Sequence, residues 1–160
     1  MNTDKQWLDM AYKYAIAHSG CQKVSVGCVI VKSVNGAETT ASMGANRTLP
    51  QNCKSMGCWR KQIYGDDSKV HRGPADCMAL HSEIDALAMA ARNGVRVFGS
   101  TVYVTRYPCE ACARALAAAG VAEVIYGGTT KASILTEHIF STNFIEVRHI
   151  TDWMEDNSDR

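Results

Sequence analysis

The spacing of hydrophobic residues changes along the first third of the chain, and the changes mark three predicted elements. From about Thr3 to His18, apolar side chains recur at helical spacing, and Gly20 follows as a stop signal. The run from Val24 to Lys32 is rich in β-branched residues and almost wholly apolar, which predicts a buried strand. Asn35-Gly36 is a turn signal, so Thr39 to Ala45 is predicted to return as the second strand of a hairpin.

The second half of the chain alternates between helical and strand-like patterns. After His81, apolar residues at helical spacing predict a helix that ends near Asn93-Gly94. The elements predicted after it are a strand at Thr101 to Thr105, a helix at Cys109 to Ala119, a strand at Val121 to Tyr126, a helix around Ser133 to Phe140 and a strand around Phe144 to His149. Strands that alternate with helices indicate a layered α/β fold with parallel strand pairs.

The stretch 46–80 follows neither pattern and is predicted to be irregular. It holds three cysteines, several glycines, and both Pro50 and Pro74. A connection this long is uncommon in a compact domain unless it is functional or held by something else. At the other end, the acidic tail 152–160 is predicted to be frayed.

Length, composition and net charge favour a single-domain soluble protein. The length of 160 residues fits one domain, 1–160, and the 46% hydrophobic and 21% charged residues are ordinary for a soluble globular protein. A formal net charge of +1 offers no overall attraction to nucleic acid or to an anionic membrane, so any phosphate-binding surface must be local. No apolar run approaches the roughly 20 residues of a membrane span, and the N-terminal segment lacks the apolar core of a signal peptide. A cytoplasmic protein is therefore expected.

Two short motifs carry the candidate chemistry. His81-Ser82-Glu83 supplies an imidazole and a carboxylate, and Pro108-Cys109-Glu110-Ala111-Cys112 supplies two thiols. Zinc with three protein ligands keeps a fourth position for water, which separates catalytic from structural sites, and it lowers the pKa of that water to about 7. The motifs therefore predict a catalytic zinc on His81, Cys109 and Cys112, with Glu83 as a proton shuttle. A structural zinc and a redox dithiol remain the alternatives.

Both motifs open a predicted helix. Cys109 and Cys112, three residues apart, fall on one face of their helix. Helix N-termini stabilise negative charge, so both thiols would be helped to ionise, as metal ligation requires. If the two helices lie side by side, their N-termini meet at the metal.

These residues resemble the cytidine deaminase superfamily and, within it, the deoxycytidylate (dCMP) deaminases. The resemblance covers most of the chain: VGCVIV, the Gly44-Ala45-Asn46 loop, the cysteine-bearing insertion at 46–80, HSEIDAL, TVYVTRYPCEAC and GVAEVIYGG. The two metal motifs are shared by the whole superfamily, and the insertion favours the dCMP deaminases. The resemblance implies a three-layer α/β/α fold with a central five-stranded mixed sheet.

The implied function is the zinc-dependent hydrolysis of dCMP to dUMP and ammonia. Glu83 would take a proton from the zinc-bound water and deliver it to the ring nitrogen, and would then protonate the departing amino group, serving as base and acid in turn. The alternatives keep the chemistry and change the substrate: cytidine, dCTP, a modified pyrimidine nucleotide or a tRNA adenosine. The implied partners are a small pyrimidine nucleotide, with Mg²⁺ only if a triphosphate binds, and further copies of the chain, as a hexamer or alternatively a dimer or tetramer.

Several further residues take roles from the same resemblance. Asn46 matches an asparagine that contacts the deoxyribose, and an ordinary turn asparagine is the alternative. Arg47 and Arg106 are the nearest candidates for the 5′-phosphate, and Ser82 is a further candidate for substrate contact. A second, structural zinc is expected on Cys21, Cys53, Cys58 and Cys77, with His71 as an alternative ligand. Cys28 is expected to be a buried small hydrophobe in its strand.

The chain departs from the family pattern at three places. Ser82 stands where alanine is usual, and Asp85 stands where asparagine is usual. The loop written GYNG in the regulated enzymes is Gly44-Ala45-Asn46-Arg47 here.

Overall fold

The computed structural model describes residues 3–49, 52–65, 77–128 and 132–153. The helices within these ranges are α1 (Thr3–His18), α2 (Cys53–Met56), α3 (Trp59–Tyr64), α4 (Ser82–Arg92), α5 (Glu110–Ala119) and α6 (Ile134–Thr142). The strands are β1 (Gly27–Val34), β2 (Ala37–Ala45), β3 (Thr101–Val104), β4 (Glu123–Tyr126) and β5 (Glu146–His149). None of the helices in these ranges is long and apolar enough to cross a membrane.

The five strands form one mixed sheet in the order β2-β1-β3-β4-β5. β1 pairs antiparallel with both β2 and β3, whereas β3–β4 and β4–β5 are parallel. The parallel pairs occur where the sequence alternates strand with helix, because a parallel partner requires a crossover connection. Both the predicted parallel pairing and the five-stranded mixed sheet are confirmed.

Helices cover both faces of this sheet. On one face, Leu8 and Ala11 of α1 pack with residues such as Val29 and Ile125. On the other face, α4, α5 and α6 contribute to a second core that contains Leu116 and Phe140. The alternation of side chains along a strand sends neighbouring residues of β1, β3 and β4 to opposite cores, so the strands are apolar on both sides. The result is the predicted three-layer α/β/α arrangement.

The hairpin β1–β2 turns at Asn35-Gly36, as predicted, with φ of 53° and 81° at the two residues. At the far end of β2, Gly44 lies directly against α4. A Cβ on Gly44 would lie 2.2 Å from the carbonyl oxygen of Ser82, so only glycine permits this approach. This contact brings the loop after β2 next to the residues of the first motif.

Three element predictions need correction. β1 begins at Gly27, not at Val24, because backbone groups of Val24 and Val26 bond to the side chain of Asn46 instead of a strand partner. The stretch 46–80 is not wholly irregular: it contains α2 and α3, and Thr48 forms a β-bridge with Ala79. The start of the predicted frayed tail is ordered, since residues 151–153 form a 3₁₀ turn that buries Trp153; residues 154–160 lie outside the described residues.

Candidate active site

The two motifs meet at the N-termini of adjacent helices, as predicted. His81 is the N-cap of α4 and Cys109 is the N-cap of α5, both with extended backbone angles. Cys112 lies in the first turn of α5 and is buried. The helix dipoles therefore favour negative charge at the point where the three side chains converge.

The spacing of the three donors fits a zinc ion. His81 Nδ1 lies 3.4 Å from the Sγ of Cys109 and 3.4 Å from the Sγ of Cys112. A tetrahedral zinc with its usual bond lengths holds a nitrogen and a sulfur ligand about 3.6 Å apart. Among the residues that the structure describes, this is the one group of three or more potential ligands whose donor atoms all lie within 4.8 Å of one another. One imidazole and two thiols leave a fourth position for water.

The Cys109 and Cys112 thiols are hydrogen-bonded to each other, and this bond shifts their pKa values in opposite directions. Hydrogen bonds from Cys112 and His81 lower the pKa of Cys109 to about 4. The pKa of Cys112 is raised in turn, chiefly by its hydrogen bond to Cys109 and by burial. A divalent cation stabilises both thiolates at once, so the arrangement is suited to metal binding.

Glu83 is a buried carboxylate next to this centre. Its side chain is 4% exposed, and desolvation raises its pKa above the usual value. It is not one of the three clustered ligands. A carboxylate whose pKa is raised toward neutrality can both accept and release a proton.

Ser82 makes its contact with Glu83. Its hydroxyl donates to Oε2 of Glu83 at 3.0 Å, and the residue is buried. This hydrogen bond lowers the pKa of Glu83 and thereby offsets part of the larger increase that desolvation causes. The serine that stands in place of the usual alanine therefore holds one oxygen of the carboxylate.

A cavity of about 310 Å³ opens onto the centre. It is lined by His81, Ser82, Glu83 and Cys109, and Asn46 lies in its wall. The Asn46 side chain is already anchored: Nδ2 donates to the carbonyl of Val24 at 2.8 Å and Oδ1 accepts from the amide of Val26 at 2.9 Å. Each of these atoms keeps capacity for one further hydrogen bond.

Three cations line the same cavity: Lys23, Arg60 and Arg106. Within the ranges that the structure describes, none of them forms an ion pair with a carboxylate. Arg106 was predicted from its position before the metal motif. Lys23 and Arg60 were missed, although each lies two residues from a cysteine that also lines the cavity, and that proximity is the signal that could have indicated them.

Arg47 is placed differently from the prediction. It does not line the cavity. Its Nε donates to Oδ2 of Asp85 at 2.9 Å and its Nη2 pairs with Oδ1, and this bond to Asp85 raises the pKa of Arg47. The geometry therefore argues against Arg47 as a ligand of the phosphate.

Of the four cysteines that were predicted to bind a second zinc, three lie around the same cavity. Cys21, Cys58 and Cys77 line the cavity, whereas Cys53 is buried outside its lining. Cys21 Sγ accepts the amide N–H of Lys23 at 3.4 Å, and Cys77 Sγ accepts that of Ala79 at 3.5 Å. Among the described residues, no three of these thiols have donor atoms that all lie within 4.8 Å of one another, and His71 lies outside the described residues. The second zinc site therefore stays a prediction. Cys28 is fully buried in β1, as expected.

Comparison with known proteins agrees with the motifs. The family model described as the cytidine and deoxycytidylate deaminase zinc-binding region matches residues 1–128. A deoxycytidylate deaminase of Mycobacterium phage D29 is 32% identical over 115 residues, which cover 70% of this chain and 84% of that protein. The deoxycytidylate deaminase of Saccharomyces cerevisiae is 36% identical over 112 residues, which are 70% of this chain and only 33% of the yeast protein.

A solved structure shares the fold. The dCMP deaminase of cyanophage S-TIM5, crystallised in complex with dCMP and dUMP, superposes with a TM-score of 0.65 at 22% identity. The match covers 92% of this chain and 96% of that one.

Proposed function

Since this chain belongs to the cytidine and deoxycytidylate deaminase family, we propose that it is a zinc-dependent hydrolase that converts dCMP to dUMP and ammonia. We treat residues 1–160 as one deaminase domain with a cysteine-bearing insertion at 46–80. The observation that carries the choice of substrate is the shared cavity: two of the three metal ligands, His81 and Cys109, line it together with Glu83 and the cations Lys23, Arg60 and Arg106. A nucleoside without phosphate would leave these charges unused, whereas a 5′-phosphate can pair with them.

The zinc ligands proposed are His81, Cys109 and Cys112. When bound there, zinc supplies a water that ionises near neutral pH and can attack C4 of the cytosine ring. Asn46, anchored by its own side chain, offers its remaining hydrogen-bonding capacity to the sugar.

Glu83 carries the proton transfers. Because Ser82 holds Oε2, Oε1 is the oxygen that we assign to the moving proton. Glu83 takes one proton from water and delivers it to N3 of the ring as the oxygen of that water bonds to C4. It then takes the second proton from the new hydroxyl on C4 and passes it to the amino group, so that the C4–N bond breaks and ammonia leaves. Burial of the carboxylate raises its pKa and so favours the protonated form that the second role needs.

We also propose that Cys21, Cys53, Cys58 and Cys77 hold a second, structural zinc, with His71 as an alternative ligand. The support is that three of these thiols line one cavity and that two of them accept backbone N–H groups, which stabilise thiolates. The ion would tie the insertion to the segment before β1.

Two further proposals follow from the family resemblance. The chain would act in the cytoplasm as a homo-oligomer, a hexamer or alternatively a dimer or tetramer, and Mg²⁺ would be needed only for a triphosphate. Phe144 and Ile134 are 93% and 86% exposed, which is consistent with a surface that packs against another copy.

We predict that dCMP is preferred over deoxycytidine, dCTP and an RNA stem-loop. Each charged phosphate contact contributes about 1.5–3 kcal/mol, so kcat/KM for dCMP should exceed that for deoxycytidine by about 100-fold or more. Arg106→Met should reduce this preference by about 10- to 100-fold. Initial rates on the four substrates measure the ratios.

Arg114→Met is the matched control, because Arg114 is exposed on α5 and does not line the cavity. It should leave the preference unchanged. Turnover of dCMP no faster than that of the other substrates would overturn the phosphate assignment.

For the second metal, we predict two zinc ions per chain in the purified protein and one in Cys77→Ser. Loss of a thiolate from a four-coordinate site removes the ion, because the remaining ligands bind it much less tightly. Elemental analysis after dialysis measures the content. Cys28→Ala, which removes a buried thiol away from the cavity, should keep both ions, and a parent content of one zinc would refute the second site.

A further inference from the structure

Asn46 lies between two residues that bind the same buried carboxylate. The amide of Ala45 donates to Oδ2 of Asp85 at 3.0 Å, and Arg47 binds both oxygens of Asp85 through Nε and Nη2. The Asp85 side chain is 0% exposed. One carboxylate of α4 thus holds the chain on both sides of Asn46.

The same loop is fastened to the segment that leads into the metal ligand. The amide of Leu80 donates to the carbonyl of Arg47 at 2.7 Å, and Leu80 directly precedes His81. Asp85 lies one helical turn after His81, and its own amide donates to the His81 carbonyl at 2.9 Å. Arg47 is therefore linked to the chain before His81 through its backbone and to the chain after it through its side chain.

The other attachments of Asn46 lead away from α4. Its amide donates to the carbonyl of Val26 at 3.0 Å, its carbonyl accepts from Gly20 at 3.2 Å, and its side chain binds the backbone of 24–26. These bonds orient Asn46 within the wall of the cavity. The distance of Asn46 from the metal-binding helix is set instead by the contacts of Asp85 and by the close packing of Gly44 on α4.

We propose that Arg47 and Asp85 form a positioning pair that holds Asn46 in register with His81 and Glu83, so that the pair determines how tightly the substrate binds. Neither residue lines the cavity, so neither acts on the substrate directly. The role assigned to Asn46 rests on the proposed function. The proposal that the Arg47–Asp85 pair holds the loop in place does not depend on the proposed function.

Asp85→Asn is the primary test, because it preserves shape while removing the charge that binds Arg47. The KM for dCMP should rise about tenfold or more, since the loop that carries Asn46 loses its charge-assisted bonds, while kcat stays within about threefold. Zinc content should equal that of the parent. Arg47→Met should act in the same direction, and the double variant Arg47→Met/Asp85→Asn should raise KM by less than the product of the two single effects, because both remove one interaction.

Arg148→Met is the matched control. It removes a different set of arginine ion pairs, those with the two carboxylates of Asp4 and Glu123, on the α1 side of the sheet and outside the cavity lining. It should leave KM within about twofold, which separates a positioning effect from a general loss of stability.

Hydrogen exchange by mass spectrometry gives a readout that needs no substrate. Peptides covering 44–48 should exchange about tenfold faster in Asp85→Asn than in the parent or in Arg148→Met, while β3 and β4 exchange as before. If exchange at 44–48 is unchanged in Asp85→Asn, the proposal that the pair holds this loop in place is refuted, whatever the substrate is. If the parent protein prefers another cytosine compound, the proposed function fails, and the KM values of the parent and the variants are then compared on that compound. If Asp85→Asn exchanges faster at 44–48 but its KM is unchanged, the pair stabilises the loop without affecting substrate binding.

Discussion

Replacing Glu83 by Gln is expected to lower kcat for dCMP by about 10²- to 10⁴-fold, the usual contribution of general acid–base catalysis. Glutamine preserves the shape of the side chain and can still accept the hydrogen bond from Ser82. It cannot take a proton from water and return it to the substrate. Because Glu83 is not one of the clustered metal ligands, zinc content should remain at the parent level. Rates from the loss of cytosine absorbance, together with elemental analysis, measure both quantities.

Glu110→Gln provides the matched control for this experiment. Glu110 also lies in the first turn of its helix, but its carboxylate bonds to Ser133 and does not line the cavity. Its replacement should leave kcat within about threefold. Activity retained in Glu83→Gln would refute the proton shuttle, and a non-catalytic zinc module would then be favoured, because a purely structural site has no need of that carboxylate.

Replacing Cys112 by Ala is expected to remove one zinc ion per chain and to reduce deamination below about 10⁻⁴ of the parent rate. Zinc lowers the pKa of water by nearly nine units, so its loss removes most of the hydroxide available at neutral pH. Cys112 is buried, and its Sγ lies 3.4 Å from His81 Nδ1, so alanine at this position removes one of the three clustered donors. Activity and metal content are measured on the same preparation.

Cys28→Ala again serves as control, since it removes a thiol of similar burial that lies in the core of the sheet. It should retain both zinc and activity. A parent protein that contains no zinc under reducing conditions, with Cys109 and Cys112 forming a disulfide on oxidation, would instead favour a redox dithiol.

Local patterns predicted most of the fold well. The helix Thr3–His18 and the turn at Asn35-Gly36 agree with their predictions, because helical periodicity and the glycine turn are properties of neighbouring residues. The predicted start of β1 was wrong because it depends on a contact with a residue remote in the sequence. Val24 and Val26 have strand-forming side chains, but an asparagine about 20 residues away binds their backbone groups.

The insertion at 46–80 also shows that local sequence patterns do not predict elements that depend on contacts with the rest of the protein. Its glycines and prolines indicated an irregular stretch, yet α2 and α3 form within it as helices of four and six residues. Helices this short depend on capping and on contacts with the rest of the protein more than on periodicity. Asn52, for example, caps α2 by accepting the amide of Lys54.

The sequence by itself identified the candidate metal ligands His81, Cys109 and Cys112 together with Glu83, because these residues lie in two short motifs at helix starts. Only the tertiary structure decided which cations share the cavity and which are already paired. Arg47 and Arg106 look alike as sequence neighbours of candidate site residues, yet one binds a buried carboxylate 38 residues away and the other lines the cavity. Pairing of charges depends on distances between segments remote in the chain, and those distances are set by the packing of α4 against β2, which local sequence does not encode.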